Sequence, residues 1–295
     1  MGLTTWVVVP EDRAERHIPM TMEDWSKGIC IVIYLKSNAD YKKTEYYNQT
    51  KISLLVLRFD KGRYGEYLTY KYLSKLSGHK QYLFNCYIPK DNNTTTELDV
   101  ILLHDSGIYI FESKNYSGWI FGTETHKYWT QTLPAGGGKT KKSHFLNPII
   151  QNKGHIKWLQ KYVGQEDLPM YSFVIFSDRC TLKNINLTSN THWVINRYEI
   201  MHAVSSNASK VGQKLTVAEI DSIYEKLYPL TQITEKQKNV HVQQIRKTVT
   251  ELPSICPKCG ATLVRRTAKK GSRAGKDFLG CSNYPKCRYV KNIDN

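Results

Sequence analysis

Apolar and polar positions alternate through the middle of this chain in a way that predicts a sheet with helices around it. Tyr82–Ile88, Leu98–Leu103 and Ile108–Phe111 are short runs rich in aromatic and β-branched residues, and they predict strands. Ahead of them, Leu68, Tyr72, Leu73 and Leu76 recur at helical spacing and predict a helix over Gly62–Leu76. Behind them, Asn147-Pro148 opens a helix to about Tyr162, with the proline in the first turn, where its missing N–H costs nothing. Ser172–Phe176 and Trp193–Ile195 read as further strands. Helices follow near Glu199–Ser206 and Val217–Tyr228, then a loosely periodic helical connector over Thr234–Thr250. Leu133–Ser143, with Gly136-Gly137-Gly138 and then Lys139, Lys141 and Lys142, reads as a loop. In residues 1–50, Trp6–Val9 and the apolar run Ile29–Leu35 suggest weak strands or an irregular lead-in.

Charge adds a partner class. Among 295 residues, 42 Lys+Arg against 26 Asp+Glu leave a net charge of +16. An excess of this size favours a polyanion, either nucleic acid or an anionic membrane surface, although solubility alone also accounts for surface charge. Residues 253–295 hold ten Lys+Arg and two acids, so +8 of the +16 lies there. No apolar run approaches the ~20 residues of a membrane-crossing helix. The N-terminus lacks a secretory pattern, and Trp6 stands where a myristoylation signal expects Ser or Thr. The expected location is cytoplasmic, with nucleoid association following from a DNA partner.

Four of the seven cysteines cluster in Cys256-Pro-Lys-Cys259-Gly260 and Cys281-Ser-Asn-Tyr-Pro-Lys-Cys287. A Cys-x-x-Cys knuckle points two sulfurs at one ion, and a second pair completes a tetrahedron, so the set predicts structural Zn²⁺. Free thiols or a redox pair are the alternatives. The intervening residues suit a hairpin of Leu263–Arg266 against Phe278–Gly280. So short a segment buries little core, and the metal would supply its folding free energy. Cys30, Cys86 and Cys180 sit in apolar surroundings and read as small buried residues of a reduced compartment. Between and around the ligands lie Arg265, Arg266, Lys269, Lys270, Arg273 and Lys276, interleaved with Phe278, Tyr284 and Tyr289. Cations for phosphates and aromatic faces for bases make a single-strand binding surface, with DNA favoured and RNA open. Each aromatic serves equally well as core. The tail resembles the C4 zinc finger of bacterial type IA DNA topoisomerases in Cys256-Pro-x-Cys259-Gly, Leu263, Arg265, Gly275, Phe278, Cys281 and Tyr284-Pro285-x-Cys287. That resemblance implies DNA binding without topoisomerase activity, because nothing else in the chain is similar to the strand-passing domains.

A second constellation is acidic: Gly62-x-x-Gly65-Glu66, Glu97-x-Asp99 and Glu112-x-Lys114-Asn115-Tyr116-x-Gly118. If Asp105-Ser106 form a two-residue turn, His104 faces Gly107 and Asp99 lies opposite Glu112. Their Cβ atoms would then be ~4.5–5.5 Å apart. Glu97 and Lys114 pair in the same register and face. Facing carboxylates with a nearby ammonium can hold Mg²⁺, which prefers carboxylate oxygens. The same spacing also describes a salt network of Glu97, Glu112 and Lys114 with no ion. His155 falls one turn beyond Gln151, on the same helix face.

These motifs, with Asn147-Pro148-x-x-Gln151, resemble the nuclease-related (NERD) domain, which is similar to restriction-endonuclease-like folds of the PD-(D/E)xK type. The resemblance implies Asp99 and Glu112 as Mg²⁺ ligands, Lys114 as the catalytic lysine, Glu66 as an outer acid and Gln151 near the site. Leu98 stands where the proline of the naming motif is expected. The expected architecture is α/β: a restriction-endonuclease-like mixed sheet flanked by helices, plus a small zinc-ribbon-like module. The expected boundaries are a lead-in over 1–52, a nuclease-like domain over 53–230, a connector over 231–252 and a finger over 253–295. The expected function is Mg²⁺-dependent phosphodiester hydrolysis in DNA processing, with the finger gripping DNA. The alternatives are a non-catalytic nucleic-acid-binding protein and an accessory factor of a topoisomerase or helicase.

Overall fold

The computed structural model describes residues 5–8, 17–20, 29–165, 167–251, 256, 258–268 and 274–292. They divide into two units, Met1–Phe59 and Asp60–Asn295. In the first, β1 (Thr5–Val8) and β2 (His17–Met20) pair antiparallel, followed by helices α1 (Ile29–Lys42), α2 (Glu45–Thr50) and α3 (Leu54–Phe59). Ile29–Leu35 is therefore helical rather than extended. A continuous apolar run carries no period of its own, and this one continues without a breaker into Lys36–Lys42. The Thr44 hydroxyl caps α2 by accepting from the Tyr47 N–H.

The second unit begins with α4 (Lys61–Leu73), whose N-cap Asp60 accepts from the Gly62 and Arg63 N–H groups. Strands β3 (Lys80–Pro89), β4 (Thr95–His104) and β5 (Gly107–Lys114) follow as an antiparallel meander. Next come β6 (Gly118–Thr123), β7 (Tyr128–Pro134), β8 (Thr140–Leu146) and helix α5 (Pro148–Val163). The unit continues with β9 (Met170–Phe176), β10 (Cys180–Asn186), β11 (His192–Asn196), α6 (Ile200–Val211), α7 (Val217–Leu227) and α8 (Glu235–Glu251). The main sheet runs β11-β9-β5-β4-β3, with β9 parallel to β5 and to β11. It is a mixed sheet with helices on both faces. Leu159 and Val163 of α5 and Ile220, Ile223 and Leu227 of α7 bury Leu83, Ile101 and Ile110 on one face. On the other, Tyr70 of α4 meets Tyr82 and Phe84 edge-on, and Asn207 of α6 donates to the Tyr109 hydroxyl.

One irregularity interrupts this alternation. Leu83 and Cys86 share an apolar cluster although they are three residues apart, as do Leu98 and Ile101. Strict period-2 pleating forbids that. The ladder steps from Phe84↔Val100 to Cys86↔Leu98, leaving Asn85 and Asp99 unpaired, with Asn85 in the left-handed region at φ 50°. The kink re-aims Asp99.

A second sheet, β10-β6-β7-β8, packs around buried Ile120 and Trp129. The loop expected over Leu133–Ser143 is instead the tip of the β7–β8 hairpin. Gly136, Gly137 and Gly138 all take positive φ at the turn, and Lys139, Lys141 and Lys142 are exposed. The Asn147 side chain caps α5 through the Ile149 N–H and donates to the carbonyls of Thr123, Glu124 and His126. In the finger, β12 (Leu263–Thr267) pairs with β13 (Asp277–Cys281) in the expected hairpin, and β14 (Val290–Asn292) adds a third strand. Among the described residues, no helix is long and apolar enough to cross a membrane.

Glu124, in the β6–β7 turn, is 6 % exposed. It accepts from the backbone and hydroxyl of both Thr188 and Ser189 and pairs with Lys153 at 3.1 Å. These bonds, the Thr188 N–H foremost, hold its carboxyl well below the ordinary glutamate range. A depressed carboxyl stabilises the fold above its unfolded pKa, and that stabilisation is lost as pH falls toward the folded value. Glu124→Gln should therefore lower the melting temperature at neutral pH. The gap from the parent should narrow between about pH 5 and about pH 2, read by thermal melts.

Candidate functional site

The β4–β5 hairpin keeps the register that its two-residue turn demands, from His104↔Gly107 to Val100↔Phe111, and then the ladder stops. Beyond Phe111, β5 continues along β9, with Glu112↔Val174 and Lys114↔Phe176. The N–H of Ser113, freed from β4, is taken by the Asp99 carboxylate at 2.9 Å. Asp99 thus sits where pairing fails on both sides of its own strand.

Around it lie the other expected residues. Glu112 is 4 % exposed. Its Oε1 accepts from the Lys114 ammonium at 2.6 Å, and its Oε2 lies 3.0 Å from Nε2 of His155. Burial pushes the Glu112 carboxyl up, but Lys114 and His155 outweigh it and bring it down to about 2. An ionised carboxylate can only accept, so His155 donates from Nε2, and its Nδ1 lies 2.7 Å from the Thr96 hydroxyl. Asp99 behaves oppositely: burial, then the charges of Glu112 and Glu66, raise its carboxyl well above the usual range. Lys114 is raised: burial opposes its charge, but Glu112 and Asp99 more than offset that. Glu66, 8 % exposed on α4, accepts from the side-chain amide of Asn85, the kinked residue of β3. Helix α4 approaches because residue 65 is glycine; a Cβ there would stand 3.1 Å from both Asn115 Cβ and Ser113 Oγ. Gln151 occupies the first turn of α5, half-buried, one turn before His155.

Three neighbours of the site have structural work. Asn115 donates to the Lys61 carbonyl at 2.6 Å and accepts from Arg179 at 3.0 Å, tying the start of α4 to the end of β5. Tyr116 meets Phe145 edge-on, at 4.8 Å between ring centroids, in the core of the second sheet. Glu97 does not pair with Lys114: it accepts from the Tyr87 hydroxyl at 2.7 Å and lies 3.7 Å from His241. His241, on α8, is itself held by the Thr95 hydroxyl at 2.7 Å.

Sequence reasoning gave His155 only a place on a helix face and missed Arg197 altogether. The Arg197 side chain is 2 % exposed, and its guanidinium comes within 3.4 Å of where a Gly65 Cβ would be. Its neighbours are distant in sequence, so no local pattern marks it.

The donor set around Asp99 suits a hard cation. Three carboxylates share one lysine and one imidazole, and the raised Asp99 carboxyl reflects its burial first and their repulsion second. Mg²⁺ needs only one or two carboxylates beside water and phosphate. Among the described residues, only Cys256, Cys259, Cys281 and Cys287 form a group of three or more His, Cys, Asp or Glu ligand atoms all within 4.8 Å of one another.

That cysteine group has the geometry of a C4 zinc site. Cys256 and Cys287 sulfurs lie 3.6 Å apart, and Cys259 and Cys281 sulfurs 3.3 Å. Tetrahedral Zn–S bonds of about 2.3 Å set the sulfurs about 3.8 Å apart. Leu263 and Tyr289 pack against the cluster. Of the cations and aromatics expected to bind nucleic acid, Lys276 is exposed and Phe278 half-buried. Arg265 is paired with Asp277 at 2.7 Å. The Arg266 guanidinium lies 5.9 Å from the ring centre of Tyr284, which is 59 % exposed. Lys269, Lys270 and Arg273 lie outside the described residues. Cys86 and Cys180 are buried as expected; the Cys30 side chain lies outside the described residues.

Residues 61–177 match the family model for the nuclease-related domain, NERD. Residues 254–295 match that for the topoisomerase DNA-binding C4 zinc finger. The uncharacterized protein pXO1-01 of Bacillus anthracis is 32 % identical over 186 residues, covering 63 % of this chain and 84 % of that protein. DNA topoisomerase 1 of Helicobacter pylori is 41 % identical over 69 residues, 23 % of this chain and only 8 % of the topoisomerase. The uncharacterized protein YrdD of Escherichia coli is 58 % identical over 38 residues, 13 % of this chain and 18 % of its own length. No solved structure matches.

The cysteine geometry makes a direct prediction. Purified protein should carry one zinc per chain by elemental analysis, and Cys259→Ser or a strong chelator should remove it. Loss of zinc should collapse the NMR dispersion of the finger while leaving that of the α/β unit, since structural zinc supplies the folding energy of so small a module.

Proposed function

Because this chain belongs to the NERD, nuclease-related, family and carries a topoisomerase-type C4 zinc finger, we propose that it hydrolyses phosphodiester bonds in DNA with a divalent cation, the finger supplying grip. The observation that carries this reading is the Asp99–Glu112–Lys114 group at the point where β4 and β5 part. Asp99 and Glu112 would hold Mg²⁺, which supplies Lewis-acid charge at the scissile phosphate. Lys114 brings its ammonium to the same cleft, where it orients a water or offsets charge that develops on the phosphate. His155 fixes the second oxygen of Glu112, so that this carboxylate stays ionised and aimed. Glu66, steadied by Asn85, lies at the outer side as a further acceptor for water. Gln151 lines the following helix turn. In the finger, Arg266, Lys276, Tyr284 and Phe278, with Lys269, Lys270 and Arg273, would track the DNA, and Arg265 would join them only by releasing Asp277. The expected setting is the cytoplasm, on the nucleoid.

One observation favours a second reading. Both oxygens of Glu112 already have partners, Lys114 and His155, so the group is satisfied without an ion. On that reading the protein binds nucleic acid and the cleft is silent, or it assists a topoisomerase or helicase.

A single assay separates them. With Mg²⁺ or Mn²⁺ the parent protein should nick supercoiled plasmid, and Asp99→Ala or Lys114→Ala should slow it by about a hundredfold or more. Undiminished cleavage by both variants would remove the mechanism. DNA binding without cleavage by the parent under either metal would establish the silent cleft.

A further inference from the structure

The second sheet has one face in the core and one outside. Ile120, Trp129, Phe145 and Leu182 point into the apolar cluster. Residues opposite one another in a ladder share a face. Thr181↔Trp119, Trp119↔Thr132 and Thr132↔Lys142 therefore form one row across β10, β6, β7 and β8 on the outer face, in which Thr132 itself is buried. Trp119 in the middle of the row is 42 % exposed. Lys183, in the irregular step between Leu182 and Asn184, places its ammonium 5.8 Å from the Trp119 ring centre. Lys142 is exposed at the other end of the row, and Lys141 and Lys139 extend the charge toward the hairpin tip. None of these four strands contains an acidic residue.

The next row, Phe121↔Thr130↔His144, leads to the finger. The His144 ring lies 3.6 Å from where a Cβ of Gly260, the residue after ligand Cys259, would stand. The finger repeats the motif, with Arg266 over exposed Tyr284. Two aromatic rings, each exposed and each attended by a cation, thus belong to a sheet and a finger that approach each other at His144 and Gly260.

We propose that the outer face of this sheet binds single-stranded DNA, with a base stacked on Trp119 and flanking phosphates on Lys142 and Lys183, as a track that continues onto the finger. This rests on the nucleic-acid reading above and adds where the strand lies and which form it takes. Base faces reach an indole only outside a duplex, and such stacking tolerates any sequence. The absence of acids leaves nothing on these strands to repel phosphate; Lys183 stands beside the ring, and Lys142 lies two strands away, about 10 Å at the ordinary strand spacing.

The test uses the full chain, with zinc bound and no added magnesium, and fluorescence anisotropy of a labelled oligo(dT) of about twenty nucleotides. Trp119→Ala should weaken binding about tenfold. Trp119→Phe, which keeps an aromatic face, should recover most of that. Lys142→Ala with Lys183→Ala should flatten the dependence of log Kd on log salt by about 1.4. Binding of a duplex of equal length should change little in Trp119→Ala. Parent-like oligo(dT) binding by both the Trp119→Ala and the double-lysine variants, at unchanged melting temperature, would overturn the track. So would an equal loss on duplex. These readings are independent of cleavage: failure here leaves the Asp99 and Lys114 assay intact, and an inactive cleft leaves the binding test intact.

Discussion

The hydrogen bond from the Ser113 N–H to the Asp99 carboxylate is the constraint around which the candidate site is organised. In an unbroken hairpin that backbone group would be bound for the ladder. Here a side chain takes it, and the two strands part. The cost of parting is met locally on every side: β9 pairs with β5, Asn85 opposite Asp99 turns out of the ladder in a left-handed conformation, and Gly65 lets α4 close over the gap. Non-glycine residues rarely adopt a left-handed conformation, asparagine less rarely than most. That Asn85 does so directly beside Asp99, and gives its amide to Glu66, couples the backbone kink to the acids around it. Strain of this kind persists only where the surroundings over-determine it.

Within this group the two central carboxyls are driven apart in character. Glu112 has a lysine and a histidine and is held as an anion; burial and two anionic neighbours raise Asp99 against the Lys114 charge and one backbone N–H. Environments that separate like groups in this way are common where chemistry is done, although purely structural ion networks also produce them.

Much of this was visible in the sequence where the determining interactions are local. The Asp105-Ser106 turn and the apolar alternation on either side were enough for the register of β4 and β5 and for placing Asp99 beside Glu112. Asn147-Pro148 likewise marked the start of α5, because a cap and its helix are neighbours in sequence. The spacing of Cys256, Cys259, Cys281 and Cys287 allowed little besides a metal. What stayed hidden depends on distance. His155 reaches Glu112 from 43 residues away, and Arg197 reaches α4 from the far end of the sheet. Strand β8 read as loop because an exposed edge strand is polar along most of its length, with no alternation for a pattern to catch. Ile29–Leu35 failed for the converse reason: a run apolar at every position fits helix and strand alike.

The contact of His241 with Thr95 and Glu97 fixes one point of α8 to the rim of β4. Only fifteen residues separate that anchor from Cys256, a leash of at most about 50 Å even if fully drawn out. A polynucleotide caught by the finger is thereby confined to a small volume around the cleft, and its second encounter with the protein becomes intramolecular. For a short tether the resulting effective concentration is in the millimolar range, so weak individual contacts add up to durable retention. Were a strand held at both places, its release would be a multi-step event.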